Sequence, residues 1–511
     1  MNQKLRIMFI YCSIVVIMFA AIIPVSAKVI IEEVGASIFP SRFMPSEGAV
    51  SALVIPVEFV DFRFQEDPVD TLDEMFNGSG TAYAPSVKEY FDRASYGEMQ
   101  FSAQIQSVIR LSNTRKSYND SHAQLIQELL EILDSQGIDL KQFDQNNDDV
   151  LDGLYLVWAG AHQGAGSAWW PYSDTFYFDF EVCGIQIGSF SSLSYELMNE
   201  DSRIRQYTAI HETGHQLGLT DYYADSYTGG TGAAVMMDRN EGDEDCFSKM
   251  LLGWTQPQII TESCYVNLKS SSVTSDAAII APASWDGNYL SEYFMAEYVT
   301  PEANQNTQPL STGAVRIWHV NAATSQWTDD ITSSMYRYNN SGNGPKLLCI
   351  IDETQEWYDA GEQILEEQTL LYTGESSGIS IRIEQINTES AMLCVSYYGE
   401  IPAKPETSDV LEEEESDSIT EENTQSEDEA SDETSDEAGD EYEQDVVEDS
   451  EAEGTLEQTD DEIHGQDTKW TPQDTSVVIP IVFVLILGFL VYLLLKDNKK
   501  SKHKRNKKRR R

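Results

Sequence analysis

The sequence predicts a mixed α+β fold: a twisted sheet with helices packed on it, followed by a β-rich unit. Three observations predict it. Apolar strand-like runs alternate with amphipathic helical patterns up to about residue 217. Short alternating runs with no long helix follow Gly253-Trp254-Thr255-Gln256-Pro257. The chain then leaves globular composition altogether, through an acidic stretch and a single apolar span.

Val50 to Phe62 is nearly continuously apolar and β-branched, as expected of a strand buried on both faces. Ser86 opens a helical pattern through Val87, Tyr90, Phe91 and Ala94 that stops at Ser95-Tyr96-Gly97. Met99 to Ile109 alternates as a second strand. Ser121 to Asp134 has Leu125, Ile126, Leu129, Leu130 and Leu133 on one helical face. A strand follows from Gly153 to Gly160, and a helix is expected over Ile204–Leu217, lying against the sheet. In the β-rich part the runs are Tyr293–Tyr298, Ala314–Val320, Leu347–Ile351, Ile379–Ile383 and Ala391–Tyr398.

The ends locate the chain. Residues 1–27 have a basic start (Lys4, Arg6), an apolar run and the small-residue exit Val25-Ser26-Ala27, the layout of a secretory signal peptide. An uncleaved N-terminal anchor is the alternative. Val477 to Leu495 holds 19 residues without a charge, roughly 28 Å of helix and enough to cross a bilayer core. From Lys496 onward there are 11 basic residues and one acid, which places the tail in the cytoplasm and the preceding residues outside. A polar stalk, apolar span and basic tail also compose a wall-sorting signal. No Leu-Pro-x-Thr-Gly precedes the span, however, and Thr471-Pro-Gln-Asp-Thr475 is a poor substitute. A retained transmembrane helix on a single-membrane, Gram-positive-type cell is the expectation.

The net charge is −53. Glu406 to Asp467 carries 29 acids and no Lys or Arg, so residues 402–476 are expected to be a disordered, self-repelling stalk. Lys28 to Lys404 has 55 acidic against 19 basic residues, a net of −36. Acidity on that scale argues against nucleic acid as a partner. Five cysteines remain beyond the signal, too few and too scattered for a disulfide framework; Cys349 and Cys394 could pair if their strands are neighbours. The domains expected are a catalytic domain over 28–257, the β-rich unit over 258–401, the stalk, the span and the tail, in a chain acting as a monomer.

The chemistry concentrates in His211-Glu212-Thr213-Gly214-His215-Gln216-Leu217-Gly218-Leu219-Thr220-Asp221. Two histidines four apart on a helix sit one above the other, so both imidazoles can hold one metal ion. A catalytic zinc takes three protein ligands and keeps one position for water. Glu212, beside the first histidine, is the candidate general base for that water. Gly218 can end the helix with a positive φ, letting the chain turn back so that Asp221 becomes the third ligand. Asp225 and Glu241 are alternatives for that role. Gly214 inside a helix costs about 1 kcal/mol relative to alanine, which points to close packing at that position.

These residues resemble the metzincin-like zinc peptidases, and they are most similar to the immune inhibitor A-like M6 metallopeptidases. Val54–Asp61, Ser86–Gly97, Tyr155–Gly160 with Trp170-Pro171, Lys249–Pro257 and Gly313–Val320 extend the likeness over roughly residues 50–320. The resemblance implies a zinc-dependent endopeptidase acting on proteins or peptides. It also implies a methionine turn beneath the metal, for which Met236 and Met237 are candidates. Tyr222, Tyr223 or Tyr227 could steady an oxyanion, while His319 reads as a strand residue. Asp144, Asn146, Asp148, Val150 and Asp152 have the spacing that opens a calcium loop. Asp149 stands where the family usually has glycine, and no Glu follows at the twelfth position; a solvated Asx turn is the alternative. The 22 residues from Lys28 to Ala49 contain no cysteine, which excludes a cysteine–zinc switch. A catalytically silent surface binder and a metal-dependent amidase acting on wall peptides share these residues and stay open as readings.

Overall fold

The central sheet is built around two strands whose side chains are buried on alternate faces. In the computed structural model of the chain, residues 38 and 43–405 are described, apart from 81–83, 120–121, 165–166, 176–179, 201, 224–229, 308–309, 311, 325–335, 341–343 and 353–354. The expected signal peptide, the transmembrane span, the basic tail and nearly all of the stalk lie outside these residues. Among the described residues, no helix is long and apolar enough to cross a membrane.

The first half contains β1 (Gly48–Glu58), α1 (Val69–Asn77), α2 (Val87–Ala94), β2 (Met99–Ile105), β3 (Ile109–Arg110), α3 (His122–Ser135) and β4 (Gly153–Trp158). There follow β5 (Tyr172–Thr175), β6 (Glu181–Val182), β7 (Ile185–Gln186), β8 (Ser189–Ser194), α4 (Tyr195–Glu200), α5 (Ser202–Gln216), α6 (Met236–Arg239) and α7 (Cys246–Leu251). The sheet runs β2-β1-β4-β8-β5, with β3 also on β1. All its pairings are parallel except that of the edge strand β5, which is antiparallel to β8. The sheet is therefore mixed.

Strand β1 shows why both faces must be covered. Val50, Ala52 and Val54 enter one core, with Ala209 and Ile210 of α5. Leu53, Ile55 and Val57 enter another, with Leu125, Ile126 and Leu129 of α3. Each such aliphatic side chain contributes about 1.5–3 kcal/mol on burial. The two helices thus flank the sheet on opposite faces. Helix α2 begins as its sequence predicts, with Ser86 Oγ accepting from Glu89 N at 3.1 Å. It ends where Tyr96 and Gly97 take positive φ of 56° and 84°.

After α7 the described residues contain strands and no further α-helix: β9 (Gln258–Ile260), β10 (Cys264–Lys269), β11 (Ala278–Ile280), β12 (Glu292–Val299), β13 (Ala314–Asn321), β14 (Leu348–Ile350), β15 (Gln363–Ile364), β16 (Ile379–Ile386) and β17 (Ser390–Tyr397). They form a five-stranded sheet, β14-β13-β12-β11-β9, and a four-stranded one, β10-β17-β16-β15, packed through Ile280, Phe294, Ile317, Leu268, Ile381 and Leu393. The other face of the five-stranded sheet, with Ile279, Met295 and Trp318, shares a core with α5 and α6. The expected boundary at residue 257 is thus bridged by continuous packing.

The proposed partners Cys349 and Cys394 fall on β14 and β17, in different sheets, so their strands are not neighbours. All five described cysteines are free. Alternating apolar patterns identified these strands but carried no information on which sheet each joins.

Candidate metal centre and cleft

Helix α5 presents His211 and His215 one turn apart, and its termination brings the next residues back over them. Leu219 N donates to Gly214 O and Gly218 N to His215 O, each at 3.0 Å. This is a Schellman closure with Gly218 at φ +103°. A side chain at position 218 would strain that φ, which is why the sequence needs glycine there. The reversed chain is then pinned by Tyr222 N donating to Met237 O at 2.8 Å.

As a result, Asp221 Oδ1 lies 3.1 Å from His211 Nε2 and 3.1 Å from His215 Nε2. Among the described residues, these three form the only group of three or more His, Cys, Asp or Glu whose ligand atoms lie within 4.8 Å of one another. The far nitrogen of each ring is already committed. His211 Nδ1 faces Met236 O at 3.1 Å, and His215 Nδ1 faces Leu219 O at 2.9 Å. The carbonyls accept from Nδ1–H, so both Nε2 atoms face Asp221 and offer a lone pair to a metal once any proton they donate to Asp221 has left. A tetrahedral zinc with bonds of about 2.0–2.1 Å needs donor separations of about 3.3 Å. The 3.1 Å spacings come close to that.

The electrostatics of His215 and Asp221 reflect this pairing. Burial alone would lower the His215 pKa, but the Asp221 carboxylate beside it more than offsets this and pushes it up to about 10. Burial alone would raise Asp221, yet the His215 and His211 charges and hydrogen bonds hold its carboxyl well below the usual range. Protons and a metal ion compete for the same lone pairs here. Glu212 is raised, first by burial and against the pull of both histidines. Its Oε2 is buried with no hydrogen-bond partner among the described residues.

The scaffold holding the helix is polar and largely buried. Gln216 uses its amide as a strand would: Leu154 N donates to its Oε1 at 3.2 Å, and its Nε2 donates to Leu154 O at 3.3 Å and to Ser191 Oγ at 2.7 Å. Ser173 Oγ donates to Glu212 O at 2.8 Å, and Tyr155 Oη meets Thr213 Oγ1 at 2.8 Å. Helix α5 is thereby fastened to β4, β5 and β8 along the turn that carries His211 and His215.

The two methionines divide their parts. Met236 supplies the carbonyl facing His211, while Met237 lies under the helix at Gly214, where an added Cβ would stand 2.5 Å from its Sδ. The close packing expected at Gly214 is therefore against Met237.

A cleft of about 530 Å³ opens over these groups. Its walls include His211, Glu212, His215, Asp221, Tyr223 and the edge strand β5. Tyr223 stacks over His211 at a centroid distance of 6.2 Å, whereas Tyr222 is buried with its hydroxyl 2.8 Å from Ser248 Oγ. Asp225 and Tyr227 lie outside the described residues, and Glu241 is not among the cleft walls. His319 pairs with Glu292 at 2.9 Å and stacks on Tyr372, as a strand residue would. Residues that motif spacing did not reveal include Phe43, β5 and Tyr336, which reach the cleft from distant parts of the chain.

The loop Asp144–Asp152 is arranged differently. Asp144 accepts from Asp148 N and Asp149 N at 3.0 and 3.1 Å, Asn146 Oδ1 from Asp148 N at 3.2 Å, and Asp148 Oδ1 from Val150 N at 3.0 Å. Asp152 ties the loop to β1 by accepting from Ser51 N at 2.8 Å. The Asn146 and Asp148 bonds are successive Asx turns, and Asp144 spans the loop to the N–H groups four and five residues on. No protein-family model matches the chain, and no curated protein matches it.

Proposed function

We propose that the chain is a zinc-dependent endopeptidase of the outer cell surface, held there by its C-terminal span, with the metzincin-like character that its extended motif suggests. The observation that carries this reading is the convergence of His211 Nε2, His215 Nε2 and Asp221 Oδ1 beside the buried, unpartnered carboxylate oxygen of Glu212. His211, His215 and Asp221 would hold the ion. When bound, zinc lowers the pKa of a coordinated water toward neutrality and polarises a carbonyl.

The remaining work falls to the chain's own residues. Glu212 takes a proton from the attacking water and returns it to the leaving amine. Its burial raises its proton affinity, which suits a base that must also act as an acid. Backbone carbonyls fix the histidine rings, so no reorientation is needed during turnover. Among the described residues, strand β5 pairs on one side only, with β8, and it lines the cleft. A peptide adding to its open edge as an extended strand would run past Glu212. Such recognition relies on main-chain groups and favours peptides over other amides, which weighs against the wall-peptide amidase.

The test is cleavage of an unfolded protein substrate by the full chain, before and after chelation and with zinc restored. Cleavage that stops on chelation and returns with zinc supports the reading. Cleavage indifferent to chelation would sink it.

A further inference from the structure

We infer that Asp174 selects substrates with a basic side chain at one position of the bound peptide strand. The inference rests on the peptidase reading of the cleft and goes beyond it in naming what the cleft prefers. Asp174 lies on β5, in the wall of the cleft, and is exposed. Among the described residues, its carboxylate accepts from the N–H of the next residue, Thr175, at 2.8 Å. Among the described residues, no Lys or Arg lines the cleft.

Alternation along β5 fixes which substrate residues it meets. Ser173 points to the α5 face, where its hydroxyl reaches Glu212 O. Its neighbours on either side therefore point to the other face. Tyr172 does so, stacking on His122 of α3, and Asp174 pairs across the sheet with Phe190 of the same core. A strand added to the open edge of β5 presents one residue directly opposite Asp174, on the same face, at a Cβ separation of about 4.5–5.5 Å. A Lys or Arg there makes a cross-strand ion pair, and a Glu or Asp meets like charge. The net charge of −36 over Lys28–Lys404 adds long-range attraction for basic peptides. It does not discriminate between positions, however, whereas Asp174 does.

The experiment measures binding rather than turnover. A neutral fluorescent peptide, scanned with a single Lys or a single Glu, is titrated by anisotropy against the full chain carrying Glu212→Gln. Each affinity is referred to the neutral parent on the same variant. Lys at one position is expected to tighten binding about three-fold, and Glu there to weaken it by about as much. Adding Asp174→Asn should erase both effects, and Asp174→Lys should reverse them. A uniform response to Lys at every position, a preference unchanged by Asp174→Lys, or no peptide binding at all overturns the inference. If the preference follows Asp174 but the unsubstituted chain cleaves none of these peptides, the inference stands and the peptidase reading fails.

Discussion

Two stretches of this chain carry metal-like spacing, His211–Asp221 and Asp144–Asp152, and they spend their donor atoms in opposite ways. In the first, backbone carbonyls occupy the outer nitrogens of both imidazoles and leave the inner ones facing Asp221. In the second, the carboxylates of Asp144, Asp148 and Asp152 accept from backbone N–H groups of the loop and of β1. Spacing alone marks both. What separates them is whether the backbone engages the far side of each ligand or the donor atoms themselves.

The largest expected effect lies at the first stretch. His215→Ala removes one of the three proposed ligands, and the full chain should then fail to retain zinc through dialysis, as read by elemental analysis. Asp144→Ala should leave zinc retention unchanged. Equal zinc loss in both variants would erase the distinction between the two regions.

Next come the contacts that aim the first site. Gln216→Ala leaves Leu154 N and Leu154 O without their partner in a dry interior, while Ser191 Oγ keeps Ser173 Oγ and Glu212 O. At about 1–3 kcal/mol for each unsatisfied group, partly relieved by relaxation, a loss of about 2–4 kcal/mol is expected in denaturant unfolding. A loss below about 1 kcal/mol would mean that the amide does not stand in for a strand.

The loop has a pH signature of comparable size. Burial, with the nearby charges of Asp144 and Asp148, pushes Asp152 up to about 6 from an ordinary 3.8, against hydrogen bonds from Ser51 and Gln145. Because the folded pKa is raised, the stabilisation belongs to the protonated form. It is fully present below about pH 4 and lost as pH rises through about 6, worth at most about 3 kcal/mol. Asp152→Asn should flatten that part of the stability–pH curve. Calcium stabilisation at pH 7 that disappears at pH 4 would instead show these oxygens gathering on an ion.

The smallest effect is a packing one. Gly214→Ala gains helix propensity of about 1 kcal/mol but pushes into Met237, at an overpacking cost of about 1–3 kcal/mol. In a double-mutant cycle with Met237→Ala the two changes should be non-additive, the shortened side chain relieving the clash. Strict additivity would place Met237 elsewhere.

How much of this was legible follows from what each feature depends on. His211, Glu212, His215, Gly218 and Asp221 were readable because all lie within one helix and its cap, where spacing sets geometry. Ser86 and the two-faced burial of β1 were readable for the same local reason. Strand β5 was not, since Tyr-Ser-Asp-Thr has no apolar alternation. Tyr336 enters the cleft from far along the chain, and nothing near it in sequence points there. Gln216 reads as an ordinary helix residue until β4 is seen to lack a partner on its β8 side at Leu154. The proposed Cys349–Cys394 pair failed because strand identity does not reveal sheet membership.

The central claim is that Glu212 performs chemistry at a metal held by its neighbours. Zinc content and peptide cleavage of the full chain, measured together for the unsubstituted protein and Glu212→Gln, test it most directly. The account predicts one zinc per chain in both, with cleavage reduced by on the order of a hundred-fold or more in the variant. Cleavage at an undiminished rate by Glu212→Gln, or an unsubstituted chain that binds zinc and cuts no peptide, would contradict it.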